Sequence, residues 1–178
     1  MLWISKNLIT SLLLLITLGT ISLRAQSEPL MFYSASGGVG YYNPLAKEVP
    51  GGLMLDLGIS AILSDEIFSL NFSKRISEQI IREEDYLGLD ITYGRALELG
   101  QKWLLEGHFG LGYIRQKLGF LAFETESVDN VDHAIGLPLR AKFVYRISNS
   151  VGFGANPYLN FNGLETFYAI NLIFQYNF

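Results

Sequence analysis

Cysteine is absent from the 178 residues, which excludes disulfide staples, thiolate-bound metal, iron–sulfur clusters and a lipid carried on sulfur. Charge is scarce: Asp, Glu, Lys and Arg make up 17% of the chain, against about 25% in an ordinary soluble domain. Basic residues number 13 against 17 acidic ones, a formal net charge of −4, so nonspecific nucleic-acid binding is not expected. Beyond residue 23 no apolar run approaches the roughly 20 residues that a membrane helix needs. What is present in excess is apolar and aromatic: 49% hydrophobic residues, with 18 Gly, 10 Tyr and 12 Phe. That mixture suits closely packed strands better than helices.

Residues 1–6 carry one positive charge, residues 8–23 carry none, and Ala25 offers a small residue for cleavage. This is the pattern of a secretory signal peptide. The chain therefore divides into a signal peptide, 1–25, and one domain, 26–178. Without Lys6 and Arg24 the balance becomes 11 basic against 17 acidic residues, or −6.

From Leu30 onward apolar residues recur at every second position, the strand period. In residues 52–64, Leu53, Leu55, Leu57, Ile59, Ala61 and Leu63 share one face, and Met54, Asp56, Gly58, Ser60 and Ile62 the other. The same split recurs around Phe68, Leu89, Leu111, Leu139, Phe153 and Leu172, and more weakly in a first segment where Met31, Tyr33, Ala35, Val39 and Tyr41 alternate with Ser34, Ser36, Gly38 and Gly40. Eight antiparallel strands are expected, an all-β up-and-down barrel.

Composition decides which face is outside. A water-facing surface carries about 25 to 35% charged residues, whereas these polar faces are mostly Gly, Ser, Asn and Thr. The apolar faces carry charge only near strand ends, at Lys74, Arg95 and Arg115. A lipid-facing Arg or Lys at the bilayer midplane costs about 2 to 4 kcal/mol, so the apolar face is read as facing lipid. The connections alternate in length: 43–51, 75–85 and 116–132 are long, and 64–66, 98–102 and 148–150 are short, with a modest 162–165 at the end. Short periplasmic turns facing longer outer loops are the habit of bacterial outer-membrane barrels.

The chain resembles the small eight-stranded outer-membrane barrels, the group that includes OmpX and the OmpA membrane domain. The most specific element is the final alternation Tyr168, Ile170, Leu172, Phe174, Tyr176 and Phe178, which looks like the signal read by the barrel-insertion machinery. The resemblance implies the outer membrane of a Gram-negative bacterium, contact with lipid and lipopolysaccharide, and a monomer. No further domain is expected after the last strand, so the peptidoglycan-binding role of OmpA is not carried over.

Seven polar residues are placed inside: Asp56, Asp90, Glu106, His108, Arg140, Lys142 and Arg146. With three acids against three bases they are read as an interior salt-bridge plug, since eight strands leave a lumen just wide enough for side chains to fill. The alternatives are a narrow pore for ions or small solutes and a lipopolysaccharide-modifying enzyme. For the enzyme, His133 stands beside Asp132 with Ser127 in the preceding loop, whereas His108 has no serine two positions on. Two histidines and no cysteine make a transition-metal site unexpected, and Gly110-Leu111-Gly112 precedes no helix, so no dinucleotide is expected either. The expectation is a non-enzymatic barrel without cofactor or metal, acting structurally, as an anchor or in surface adhesion through its outer loops. The candidate partner loop follows the fifth strand, which is expected to run on past the bilayer. It carries apolar Leu118, Phe120 and Phe123 and acidic Glu124, Glu126, Asp129 and Asp132.

Overall fold

In the computed structural model, residues 29–45, 51–76, 82–120 and 130–178 are described. The alternation becomes eight strands: β1 (Met31–Pro44), β2 (Gly52–Leu63), β3 (Glu66–Ile76), β4 (Arg82–Leu99), β5 (Trp103–Phe120), β6 (Asn130–Arg146), β7 (Val151–Asn162) and β8 (Phe167–Asn177). Each pairs antiparallel with its chain neighbour, and β8 returns to β1 from Ser34↔Asn177 to Pro44↔Phe167, so the sheet closes and has no edge inside the barrel. Closure is what allows strands to cross a bilayer, because every backbone polar group finds its partner in the sheet.

The period-two pattern sorts the side chains as expected. Ser60, Ser69, Asn71, Ser73, Thr92, Asn156 and Asn171 are buried within, whereas Ile91, Leu111, Ile135 and Leu172 point out with 67%, 62%, 75% and 57% of their surface exposed. A water-soluble barrel would do the reverse, so this exterior is built for lipid. Lys74 and Arg95 lie outside at opposite ends of their strands, away from the apolar belt.

The two ends differ. At one, Ser64-Asp65 joins β2 to β3, with Ser64 in the left-handed region (φ 57°), and Gly100 (φ 79°) opens the turn from β4 to β5. At the other, strands run further than the sequence reading allowed. Arg75 belongs to β3, and Gln116 pairs with Asp132 inside a β5–β6 ladder reaching Leu118↔Asn130. β4 and β5 each have 18 residues, whereas about 9 to 11 suffice to cross a bilayer. The fifth strand runs on to Phe120, as expected, and β4 and β6 extend with it.

One position departs from the alternation. A bulge between Phe32 and Ser34 on β1 inserts an extra residue. Tyr33, expected outside, is turned toward Glu106 in the interior.

Gly110 is required by closure. A Cβ built there would overlap the backbone of Ile91 and Thr92 on β4, whereas at Gly107, three residues earlier on the lipid side, it would meet nothing. Gly110→Val is therefore expected to destabilise by about 1 to 3 kcal/mol or more through overpacking, and Gly107→Val to stay near wild type. Urea unfolding of the lipid-refolded proteins compares the two. Equal midpoints would remove the closure argument.

Candidate functional site

Among the described residues, polar side chains from distant strands converge in the lumen, which is filled in tiers. In the middle tier Arg140, on β6, reaches two strands at once. Its Nη1 donates to both carboxylate oxygens of Asp56 on β2 at 2.9 Å, and its Nη2 to Asp90 Oδ2 on β4 at 2.8 Å. β7 completes the tier. The Tyr158 hydroxyl donates to Asp90 Oδ2 at 3.0 Å, Asn156 Nδ2 donates to Asp56 Oδ2 at 3.0 Å, and the guanidinium lies 3.9 Å from the Tyr158 ring centroid. Forked donors matched to paired carboxylates are the geometry in which arginine is strongest.

Nearer the tight-turn end, Glu106 on β5 gathers its own partners: His108 Nε2 at 3.1 Å, Gln175 Nε2 at 3.0 Å, and Lys142 Nζ at 3.7 Å as an ion pair. Leu104, Val144 and Ile173 form an apolar floor in the same half of the barrel. Of the seven interior residues named from sequence, six are thus buried in the lumen. Arg146 is the correction: it sits half-buried at the rim, donating to Glu98 at 2.7 Å. Its backbone lies at the last position of β6, so its long side chain reaches the mouth rather than the core. Of the residues named from sequence, three acids, Asp56, Asp90 and Glu106, remain inside with two bases, Arg140 and Lys142, and His108; Arg75 supplies a third buried base. Arg140 pairs with Asp56 and Asp90, and Glu106 with Lys142 and His108.

The tier toward the long-loop end was not anticipated. Arg75 is 3% exposed and stacks on Phe167, Tyr86 and Tyr42 at 3.7, 4.0 and 4.4 Å, and its Nη1 pairs with Glu165 from the last connection. Tyr158 reaches up to meet Phe167, ring centroids 5.3 Å apart. Met54 and Ile114 fill the remaining space. The signal was available: Ser69, Asn71 and Ser73 are inward, and carrying that parity two residues further places Arg75 inward as well.

The other named residues separate into two groups. Tyr168, Ile170, Leu172, Phe174, Tyr176 and Phe178 all face outward with large exposed surfaces, and Phe178 N–H donates to the Tyr33 carbonyl. In the candidate partner loop, Leu118 and Phe120 belong to β5 and Asp132 to β6, while Phe123, Glu124, Glu126 and Asp129 lie outside the described residues. His133 does not assemble with the buried carboxylates. It shares a 2.6 Å hydrogen bond with the Tyr113 hydroxyl on the outer surface, ring stacked on ring; Ser127 lies outside the described residues. Among the described residues no group of three or more His, Asp or Glu is arranged to hold a metal ion.

No family model matches the chain, and no curated protein does. Solved structures match over nearly its whole barrel. Neisserial surface protein A superposes with a TM-score of 0.68 at 10% identity, covering 85% of this chain and all of that one. The N-terminal barrel domain of Pseudomonas aeruginosa OprF gives 0.61 at 10% identity, over 84% of this chain and all of the other. Ail, the attachment invasion locus protein of Yersinia pestis, gives 0.54 at 16% identity, over 83% and 100%. The fold is therefore that of the small eight-stranded outer-membrane β-barrels.

Proposed function

We propose that the protein is a closed, non-enzymatic barrel of a Gram-negative outer membrane that anchors and displays its long-loop end outside the cell. The observation that carries this reading is the pair of successive lumen barriers, the Arg140 carboxylate tier and the Arg75 aromatic tier. A pore would leave a continuous polar path, and an interior side-chain plug trades that path for rigidity. The interior ion pairs act as cross-braces between strands that are far apart in the sheet. The ribbon formed by β4, β5 and β6 extends beyond the apolar belt, and attachment to external ligands is the role it fits. Ail, which shares the fold, is named for attachment and was solved in complex with a heparin analogue. The outward alternation ending at Phe178 serves the insertion machinery.

Two measurements test this reading. Refolded protein in planar bilayers is expected to be silent, and stepwise single-channel conductance would turn the proposal into the narrow-pore alternative. On intact cells Gly163→Cys, in the connection between β7 and β8, is expected to react with an impermeant maleimide, and Asn149→Cys, in a tight turn, is not. The opposite labelling would invert the barrel.

A further inference from the structure

The connection from β7 to β8 is held together by one side chain. Asn162 Oδ1 accepts from the backbone N–H groups of Leu164 at 3.0 Å and Glu165 at 2.8 Å, while Asn162 Nδ2 donates to the Glu165 carbonyl and to Asn160 Oδ1. Backbone N–H groups only donate, so this amide has a single orientation. The line continues inward with the same polarity: Asn160 Nδ2 donates to the Tyr158 hydroxyl at 2.7 Å, and that hydroxyl gives its own proton to Asp90. An ionised carboxylate only accepts. Each group from the connection down to Asp90 must therefore donate toward the lumen, and residue 162 must offer a donor on one side and an acceptor on the other.

Gly163 follows, and no other Asn of the chain precedes a glycine. An asparagine so placed can react with its own backbone. Gly163 N attacks Asn162 Cγ, the amide proton passes through water to the departing nitrogen, ammonia leaves, and water then opens the cyclic imide at either carbonyl to give aspartate or isoaspartate. Glycine lacks the Cβ that would crowd the attack. As the C–N bond forms, negative charge develops on Oδ1, where the N–H groups of Leu164 and Glu165 already stand as an oxyanion hole. Gly163 and Leu164 are exposed, so water reaches the imide.

We propose that Asn162-Gly163 is a self-modifying site, primed by the fold to deamidate, and that the product releases this connection from the lumen. Aspartate at 162 sets a carboxylate oxygen where Nδ2 stood, against two acceptors, the Glu165 carbonyl and Asn160 Oδ1. Asn160 cannot turn its amide to compensate, because the Tyr158 proton is committed to Asp90. The new charge also lies on the segment that carries Glu165 to Arg75. The Arg75 tier then loses its carboxylate while the Arg140 tier stays in place. The chemistry is the same whichever way the barrel faces, so its failure and that of the anchoring reading are separate results.

Full barrel refolded in lipid vesicles is aged beside the same chain kept unfolded in urea at the same pH, and peptide mass spectrometry in isotope-labelled water follows residue 162. Modification is expected about tenfold faster in the folded barrel, the rate effect of roughly 1.4 kcal/mol. A folded rate equal to the unfolded one or below it would overturn the site, by showing that the hydrogen bonds protect the amide. Gly163→Ala should keep the wild-type urea midpoint, since a Cβ there meets nothing and the backbone is one that alanine adopts, and it should stay unmodified over the same period. Modification of Gly163→Ala at the wild-type rate would exclude the imide. In an Asn162→Asp background Glu165→Gln should lose its destabilising effect, because the pair with Arg75 is already released; the full effect there would overturn the release. Aged, deamidated wild type gives the same comparison without refolding a variant. It should unfold at lower urea than fresh protein, and equal midpoints would count against the release in the same way.

Discussion

Arg140→Met is expected to destabilise the barrel by about 3 to 5 kcal/mol, because it leaves two buried carboxylates, Asp56 and Asp90, without their shared cation. Asp90 shows no solvent exposure and Asp56 only 3%, so water cannot take over from the guanidinium unless the barrel opens. Tyr158 and Asn156 would still donate one hydrogen bond to each carboxylate, which limits the loss. Double-mutant cycles give the sharper result. Joined to Asp56→Asn or Asp90→Asn, Arg140→Met should show strong coupling, since removing an acid relieves the charge that the first substitution stranded. Joined to Glu106→Gln it should be nearly additive, because Glu106 is served by Lys142, His108 and Gln175. Lys142→Met with Glu106→Gln is the complementary coupled pair. Urea unfolding in lipid vesicles reads all of them; coupling of Arg140 with Glu106 as strong as with Asp56 would mean that the tiers form a single diffuse network.

That division into tiers was not legible in the sequence, although the residues were. Parity along each strand depends only on the local backbone, so Asp56, Asp90, Glu106, His108, Arg140 and Lys142 could be put on the polar face from period two, and inside once composition had set the apolar face toward lipid. Partner choice depends on closure and stagger. Arg140 stands opposite His108 on β5 and Tyr158 on β7, yet its carboxylates come across the lumen from β2 and β4, strands with which β6 shares no ladder. Nothing in a linear pattern encodes that reach. The errors have local causes too: a bulge moved Tyr33 to the other face, the end of β6 put Arg146 at the mouth, and stopping β3 at Lys74 hid Arg75. Each lies within a residue or two of a strand end or irregularity, where alternation stops being a guide.

Arg75→Ala is expected to cost about 3 kcal/mol or more, and the sign of its coupling to Glu165 identifies the cause. The guanidinium is enclosed by Phe167, Tyr86 and Tyr42, and desolvated cation–π contacts reach about 2 kcal/mol. Its removal also leaves the Glu165 side chain, 8% exposed, as a nearly buried charge facing an emptied aromatic box. In wild type, Glu165→Gln should destabilise by weakening the pair. In the Arg75→Ala background the same change should stabilise, because it removes the uncompensated charge. Arg75→Lys keeps a charge but neither the planar stack nor the fork, and should recover less than half of the loss. Conductance adds an independent readout. Arg75→Ala alone should stay closed, since the Arg140 tier still fills the next level. Combined with Arg140→Ala it should admit ions, because two barriers in series block the lumen until both are gone. Channel events from Arg75→Ala alone would make the aromatic tier the sole seal, and a silent double variant would place the barrier at Glu106 and the apolar floor of Leu104, Val144 and Ile173.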